Sequence, residues 1–229
     1  MSDGRDFERA FYPFLQAPAR VDDQPRTALL ASVRQSTLAK CQEVITLRTE
    51  LLAEYEDQLG RAAGAMADRF ARGGKLIAFG NGGSATDADD AAIDCMSPPQ
   101  SEWRALPAVS LSSESATVTA LANDVGLDSV FARQVAALGE RDDIAFGLST
   151  SGNSANVVAA FTEARRRGML TIGLTGYDGG AVGHSGAVDF CFVARREFVP
   201  RIQEGHATLW HALLGLTREA LHARTETVA

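Results

Sequence analysis

Residues 144–165 read Ile-Ala-Phe-Gly-Leu-Ser-Thr-Ser-Gly-Asn-Ser-Ala-Asn-Val-Val-Ala-Ala-Phe-Thr-Glu-Ala-Arg. The stretch opens with an apolar run typical of a buried strand, and the residues from Ala155 onward have the period and propensity of a helix. Four hydroxyl side chains and a glycine therefore lie where a strand turns into a helix, at residues 149–154. Backbone N–H groups are unpaired there and the helix dipole is positive, which predicts a site for an oxyanion such as phosphate. A Ser or Thr N-cap beside a glycine turn is the alternative, although a cap uses one hydroxyl rather than four.

A second junction of the same kind precedes it in the chain. Residues 75–79, Lys-Leu-Ile-Ala-Phe, predict a strand, residues 80–84 read Gly-Asn-Gly-Gly-Ser, and a run compatible with a helix continues to Met96. The glycines alone say little, because this loop matches neither the dinucleotide-binding fingerprint nor the P-loop. In an open parallel sheet, however, both loops would lie at the carboxyl ends of strands, where such folds bind ligands.

The rest of the chain alternates between predicted strands and helices. Strands are predicted at 75–79, 107–111, 143–148, 170–174 and 188–193, and helices at 85–97, 115–122, 128–138, 155–167 and 201–223. This order predicts an α/β fold with a mostly parallel sheet covered by helices on both faces.

The chain divides by pattern into three parts. Residues 1–26, with several Pro and Asp, predict a loosely ordered extension, and residues 27–73 predict two long helices with a break near Gly60 or earlier. We expect these helices to serve oligomerisation. Residues 74–229 hold the predicted sheet domain.

Composition excludes several classes of function. The net charge is −7 and no Lys/Arg-rich stripe is present, so we expect no nucleic-acid partner. No apolar run approaches the roughly 20 residues that cross a bilayer, and charged residues interrupt any signal-peptide core at the N-terminus. The three cysteines are widely spaced and odd in number, which fits a reduced cytoplasm better than a disulfide framework or a zinc finger.

Five stretches together resemble the sugar isomerase (SIS) domain family, and within it the phosphoheptose isomerases. They are Gly-Asn-Gly-Gly-Ser at 80–84, Ala-Asn-Asp at 122–124, Leu-Ser-Thr-Ser-Gly-Asn-Ser at 148–154, Thr-Ile-Gly-Leu-Thr-Gly-Tyr-Asp-Gly-Gly at 171–180 and Arg-Ile-Gln-Glu at 201–204. The likeness covers roughly residues 30–222. It implies a three-layer αβα sandwich with a five-stranded parallel sheet, and a homotetramer with active sites shared between subunits.

The resemblance also assigns roles by position. It implies that a sugar phosphate is held by Ser84, Ser149, Ser151 and Ser154, with Gly82 and Thr150 close by, that Asn81 and Asp124 bind sugar hydroxyls, and that Gln203 and His211 reach the site from the last helix. In the family, that histidine and a glutamate on the helix after the first loop transfer the proton. A further histidine, the same glutamate, the glutamine and the last-helix histidine can bind zinc.

The helix after the first loop departs from the family pattern. Asp90 stands where the isomerases have their metal-binding histidine, and Asp94 stands where they have the catalytic glutamate. The i, i+4 spacing points both carboxylates the same way on a helix. An arginine that the isomerases often carry shortly afterwards falls at Pro98, and Arg104 is the nearest possible substitute.

Two hypotheses follow from these departures. In the first, Asp94 is a shortened general base, and Asp90, Asp94, Gln203 and His211 hold a divalent cation, with Zn, Mn and Fe about equally suited to the oxygen-rich set. In the second, the aspartates near the helix start offset its dipole and the catalytic set has decayed. The dipole explanation suits Asp87 and Asp89 well and Asp94 poorly, because Asp94 lies three turns into the helix.

The leading hypothesis is therefore an isomerase that converts sedoheptulose 7-phosphate to a heptose 7-phosphate through an enediol. Such a reaction needs a base beside the carbon next to the carbonyl and an acid or cation at the developing oxyanion. Asp94 as base with His211 as acid, or the reverse, would meet this need. The alternatives are a non-catalytic SIS protein that senses a sugar phosphate or binds proteins, and an isomerase redirected to another phosphosugar.

Overall fold

The computed structural model describes residues 26–98, 100–101 and 103–228. In this part of the chain the helices are α1 (Arg26–Ala71), α2 (Gly83–Met96), α3 (Ser115–Val125), α4 (Val130–Leu138), α5 (Ala155–Arg166), α6 (Gly180–His184) and α7 (Val199–Val228). The strands are β1 (Leu76–Gly80), β2 (Ala108–Ser110), β3 (Ile144–Ser149), β4 (Leu170–Gly176) and β5 (Phe190–Ala194), and a short 3₁₀ helix covers Leu127–Ser129.

The described strands form one five-stranded sheet in the order β2-β1-β3-β4-β5, with every neighbouring pair parallel. Strands β1, β3 and β4 are buried along their whole length. Central strands of a parallel sheet need apolar residues on both faces, which is why they read as continuous apolar runs. The structure thus confirms the predicted fold class, and each predicted strand lies within a few residues of the observed one.

Helices cover both faces of the sheet, and each face has its own core. Alternate residues of β1 point to opposite sides, so Leu76 and Ala78 join one cluster while Ile77 and Phe79 join the other. The first cluster includes residues of α2, α7 and the part of α1 from Leu47 onward, and the second includes residues of α4 and α5. The result is the predicted three-layer αβα sandwich.

Helix α1 corrects one prediction. It runs from Arg26 to Ala71 as a single helix, so the break predicted near Gly60 is wrong. A glycine inside a helix costs about 0.5–1 kcal/mol relative to alanine but does not end it when the flanking residues are buried. The neighbours Leu59 and Ala62 are buried in the core and hold this turn in place.

The chain divides into two units, with the boundary between Glu43 and Val44. In the described part of the first unit, the helix exposes large apolar side chains, among them Leu30, Val33 and Leu38. The predicted extension at 1–26 lies outside the described residues except for Arg26, which begins α1.

The edge strand β5 is protected by a side chain of α1. The Tyr55 hydroxyl donates to the Val193 carbonyl at 3.4 Å and accepts from the Val193 N–H at 3.1 Å. Burial raises the pKa of Tyr55 to about 12, so the hydroxyl stays protonated and keeps both bonds. Exposed edge strands tend to pair with other chains, and this contact occupies part of that edge.

None of the helices in the described ranges combines the length and the apolar character needed to cross a membrane.

Candidate active site

The two predicted loops lie side by side because their strands, β1 and β3, are parallel neighbours in the sheet. They are joined by a reciprocal amide pair. Asn81 Nδ2 donates to Asn156 Oδ1 at 2.8 Å, and Asn156 Nδ2 donates to Asn81 Oδ1 at 3.0 Å. Asn81 was predicted to bind sugar hydroxyls, and in this structure its amide bonds across the loops instead. Asn156 was missed, although a buried amide among apolar residues in the first turn of a helix was a signal for such a role.

The serine-rich loop does not act as a simple N-cap. Ser154 occupies the cap position of α5, yet its side chain makes no capping hydrogen bond. Its hydroxyl lies 3.0 Å from the Ser149 hydroxyl, and the Ser151 hydroxyl accepts from the backbone N–H of Asn153 at 3.1 Å. The N-cap alternative is therefore wrong for Ser154. The loop keeps a cluster of hydroxyls, with Thr150 among them, at the positive end of a helix, as an oxyanion site requires.

The loop after β4 holds the serine-rich loop in shape. Gly152 has a φ of +66°, and a Cβ at this position would lie 2.2 Å from the Gly179 carbonyl oxygen. The Val182 N–H donates to the Gly152 carbonyl at 2.8 Å, and the Ala181 N–H donates to Asn153 Oδ1 at 2.9 Å. These contacts fix the hydroxyls before any ligand arrives, which lowers the entropic cost of binding.

The last helix reaches the first loop through Gln203. A Cβ added at Gly83 would lie 2.1 Å from Gln203 Nε2, so a larger residue there would push the Gln203 amide away from the first loop. Ser84 begins the buried side of α2 at the same place. Gly82, with a φ of +55°, forms the turn that leads into the helix. The structure thus places Gln203 against the first loop, next to Gly82 and Ser84.

Asp87 lies in the site, which corrects the dipole explanation. Helix α2 begins at Gly83 and has no acidic residue in its first turn, where the dipole effect is confined. Burial raises the pKa of Asp87 to about 6, while a hydrogen bond from Gln203 lowers it and the nearby charge of Asp90 raises it. Asp89 accepts a hydrogen bond from the Ser113 hydroxyl at 2.7 Å.

Asp94 and His211 face each other further along the same two helices. His211 Nε2 lies 3.6 Å from Asp94 Oδ2, and the two side chains are 61% and 38% exposed. His211 Nδ1 lies 2.6 Å from the Ala207 carbonyl oxygen, and a carbonyl can only accept, so Nδ1 carries a proton. Nε2 is therefore the ring nitrogen that is available for chemistry. The buried Trp210 ring stacks on the imidazole, with 3.6 Å between ring centroids, and restrains it.

The predicted metal ligands do not form one group. Asp94 and His211 are together and Gln203 bonds to Asp87, whereas Asp90 is exposed. Across the described ranges, no three His, Cys, Asp or Glu side chains are arranged to hold a metal ion. Asp90 therefore does not join Asp94 and His211 in one ligand group, and the cation stays a prediction.

Three residues considered in or near the site make other contacts in the structure. Asp124 is exposed near the end of α3 and accepts a hydrogen bond from Asn123. Arg104, the predicted substitute for the family arginine, donates to the Phe70 carbonyl at 3.5 Å and does not serve the end of α2. His206 is fully buried and its Nε2 donates to the Thr175 carbonyl at 2.9 Å, so this histidine serves the packing of the fold.

Comparison with known proteins shows which family this chain is similar to. The SIS domain family model matches residues 41–176. The phosphoheptose isomerase of Pelobacter propionicus is 46% identical over 161 residues, which cover 70% of this chain and 84% of that protein. The structure of phosphoheptose isomerase from Neisseria gonorrhoeae is similar with a TM-score of 0.74 and 35% identity, over 82% of this chain and 99% of that one. The structure of a phosphoheptose isomerase from Francisella tularensis has a TM-score of 0.76 and 31% identity, over 82% and 98%.

Proposed function

Because this chain belongs to the SIS domain family and, within it, to the phosphoheptose isomerases, we propose that it interconverts sedoheptulose 7-phosphate and a heptose 7-phosphate through an enediol. One observation carries this proposal beyond the family likeness. Helices α2 and α7 meet at two levels, with Asp87 beside Gln203 near the first loop and Asp94 beside His211 further on. Asp94 follows Asp87 by seven residues. At 1.5 Å per residue, the pair Asp94 and His211 therefore lies about 10 Å along α2 from the pair Asp87 and Gln203. A phosphorylated sugar of several carbons suits this separation.

At one end of the site, the phosphate would be held by hydroxyls and backbone N–H groups. Ser84 and the loop at 149–154 supply them at the starts of α2 and α5. Binding energy at this end fixes the sugar's position, so the reacting carbons lie close to the acid–base pair.

At the other end, Asp94 and His211 would move the proton between C1 and C2. Nδ1 of His211 is occupied by the Ala207 carbonyl, so Nε2 is the atom that accepts or donates the proton in either assignment of base and acid. When Nε2 carries a proton, the Asp94 carboxylate lies 3.6 Å away as its counter-ion. When Asp94 is the base, the imidazolium supplies the acid at the developing oxyanion.

A divalent cation at Asp90, Asp94, Gln203 and His211, with Zn, Mn or Fe as candidates, remains our prediction. A bound cation would polarise the carbonyl oxygen of the substrate. The proton transfer described above uses only residues of this chain and does not depend on it. We also propose a homotetramer with shared sites, located in the cytoplasm. The high exposure of His211 supports a shared site, because a neighbouring subunit could cover it.

The test is proton exchange in deuterated water with sedoheptulose 7-phosphate. We expect the wild-type chain to incorporate deuterium, and we expect Asp94→Asn and His211→Ala to lose that exchange. Asp89→Asn and His222→Ala are matched controls on the same two helices and should retain it. Repeating the assay after chelation, and again with added Zn, Mn or Fe, tests the cation.

The principal rival is a sugar-phosphate sensor or protein-binding scaffold with the same fold. The shortened Asp94 and the altered Asp90 favour it, because a carboxylate displaced on the order of 1 Å can cost about a hundredfold in rate. Calorimetry separates the two functions. Tight binding of sedoheptulose 7-phosphate without deuterium exchange would overturn the proposed isomerase function. Deuterium exchange with only a different phosphosugar would show an isomerase redirected to that sugar.

A further inference from the structure

A buried arginine on α7 faces the end of the helix that carries Asp94. Arg218 follows His211 by seven residues, which places both on the same face of α7. Its side chain is enclosed, with 5% of the residue exposed. Arginine is seldom buried unless its guanidinium has partners, so the contacts of this group indicate its role.

The guanidinium contacts the last turn of α2. Nη2 donates to the Asp94 carbonyl oxygen and lies 3.4 Å from the Cys95 carbonyl oxygen. These oxygens are at the negative end of the helix, where the last carbonyls have no partner within the helix. The guanidinium also lies over the Trp103 ring, 5.2 Å from its centroid, which fixes the side chain from the other side.

Helix α7 therefore holds Asp94 at two points. His211 faces its carboxylate and Arg218 binds its main chain, and both side chains come from one rigid helix. The distance between the Asp94 carboxylate and His211 Nε2 thus depends on how closely Arg218 keeps the end of α2 against α7. An aspartate has one methylene fewer than a glutamate, so the position of the Asp94 carboxylate beside His211 depends closely on the position of the Asp94 main chain.

We propose that Arg218 is a positioning residue, which holds the main chain of Asp94 against α7 so that the short carboxylate reaches its place beside His211. This inference rests on the proposed isomerase function. It also explains how the end of α2 obtains a guanidinium although Pro98 stands where the isomerases often carry arginine. The group comes from the last helix rather than from Arg104, which bonds elsewhere.

The first test separates positioning from substrate binding. Arg218→Met keeps an unbranched apolar stem like the aliphatic part of arginine and removes the guanidinium donors, and we expect kcat to fall about 10- to 100-fold. KM should change little, because the phosphate loops are untouched. Arg218→Lys should recover part of kcat, since its ammonium can still bind one carbonyl.

A control arginine measures the effect of a purely structural loss. Arg167 donates to the Gly139 carbonyl at 2.9 Å and to the Ala136 carbonyl, so it also binds main chain between helices. It lies at the end of α5, on the other face of the sheet from α7. We expect Arg167→Met to lower the melting temperature and to leave kcat within about twofold, as a loss confined to folding stability would.

The second test is a double-mutant cycle with Asp94→Glu. A glutamate restores the missing methylene, so the carboxylate no longer depends on a closely held main chain. We expect Arg218→Met to reduce kcat at least fivefold less in the Asp94→Glu protein than in the wild type. A merely structural Arg218 would give the same factor in both proteins.

The inference would be overturned if Arg218→Met lowered kcat by the same factor in the wild type and in the Asp94→Glu protein. It would also be overturned if a folded Arg218→Met protein kept the wild-type kcat, and in both cases the isomerase function would stand. If Arg218→Met does not fold, the same cycle with Arg218→Lys replaces it. A wild-type chain with no exchange activity would overturn the proposed function, and the positioning role with it, which is a different result from an active enzyme indifferent to Arg218.

Discussion

Single buried polar side chains connect the elements around the site. Asn156 joins the first loop to the second, and His206 joins α7 to the end of β4 through the Thr175 carbonyl. A buried polar group costs free energy unless its hydrogen bonds are made, so such residues also select one arrangement of the segments they join.

His206 gives a prediction about pH and stability. Burial lowers its pKa to about 4, and within the described part of the chain its Nδ1 has no hydrogen-bond partner that could accept a second proton. The unfolded chain, with the ordinary histidine pKa near 6.5, therefore binds the proton more readily. The stability that neutral His206 contributes is complete above about pH 6.5 and falls as the pH drops toward 4.

We expect the free energy of unfolding of the wild type, relative to His206→Gln, to fall by on the order of 2 kcal/mol between pH 7.5 and 5. Urea unfolding of both proteins at the two pH values measures it. Asp87 acts with the opposite sign, because its raised pKa favours the folded state at acidic pH, but it is common to both proteins and cancels in the difference. A pH-independent difference would mean that His206 titrates normally in the folded chain.

At the scale of elements, α1 shows that a helix is decided by what its residues pack against. Gly60 is accommodated in mid-helix, and a Cβ there would meet nothing within 4 Å. Helix propensity is a weak preference, and burial of one face contributes more.

We therefore predict that Gly60→Ala stabilises the protein by about 0.5–1 kcal/mol, because alanine loses less backbone entropy on folding and finds open space. Thermal or urea unfolding measures the change. Gly73→Ala is the matched control. A Cβ at Gly73 also meets nothing within 4 Å, but its φ of +89° is unfavourable for alanine, so this variant should be destabilised. If both substitutions change the free energy of unfolding in the same direction, backbone conformation is not the deciding factor.

At the scale of the whole molecule, the exposed apolar residues of α1 indicate an interface with another subunit. Leu30, Val33 and Leu38 are exposed on the first unit of the chain. Several large apolar side chains exposed on one helix mark an interface more often than they remain in water.

We expect a particle of four times the 24.3 kDa chain mass in sedimentation equilibrium. Leu30→Glu with Leu38→Glu should yield smaller species at unchanged helix content, because two charges would have to be buried in the interface. Gln35→Glu adds charge to the same helix without removing an apolar side chain, and it should stay assembled. A tetramer that survives the double substitution would place the interface elsewhere.

The sequence alone determined the order of strands and helices, the parallel sheet and the two loops at the ends of β1 and β3. These features depend on local patterns, namely apolar period, glycine turns and hydroxyls at a helix start, which are readable within about 20 residues. The family likeness added the roles of Ser84, Gln203 and His211, which the geometry brings to the same side of the sheet domain.

Only the tertiary structure decided which polar groups meet. Asn81 pairs with Asn156 across 75 residues, and Arg218 binds the main chain of Asp94 across 124. Neither contact leaves a periodic signal, because each depends on how two helices or loops approach each other in space. The uninterrupted α1 and the placement of Asp87 beside Gln203 have the same origin, since packing between distant segments overrides local preferences of a few tenths of a kcal/mol to about 1 kcal/mol.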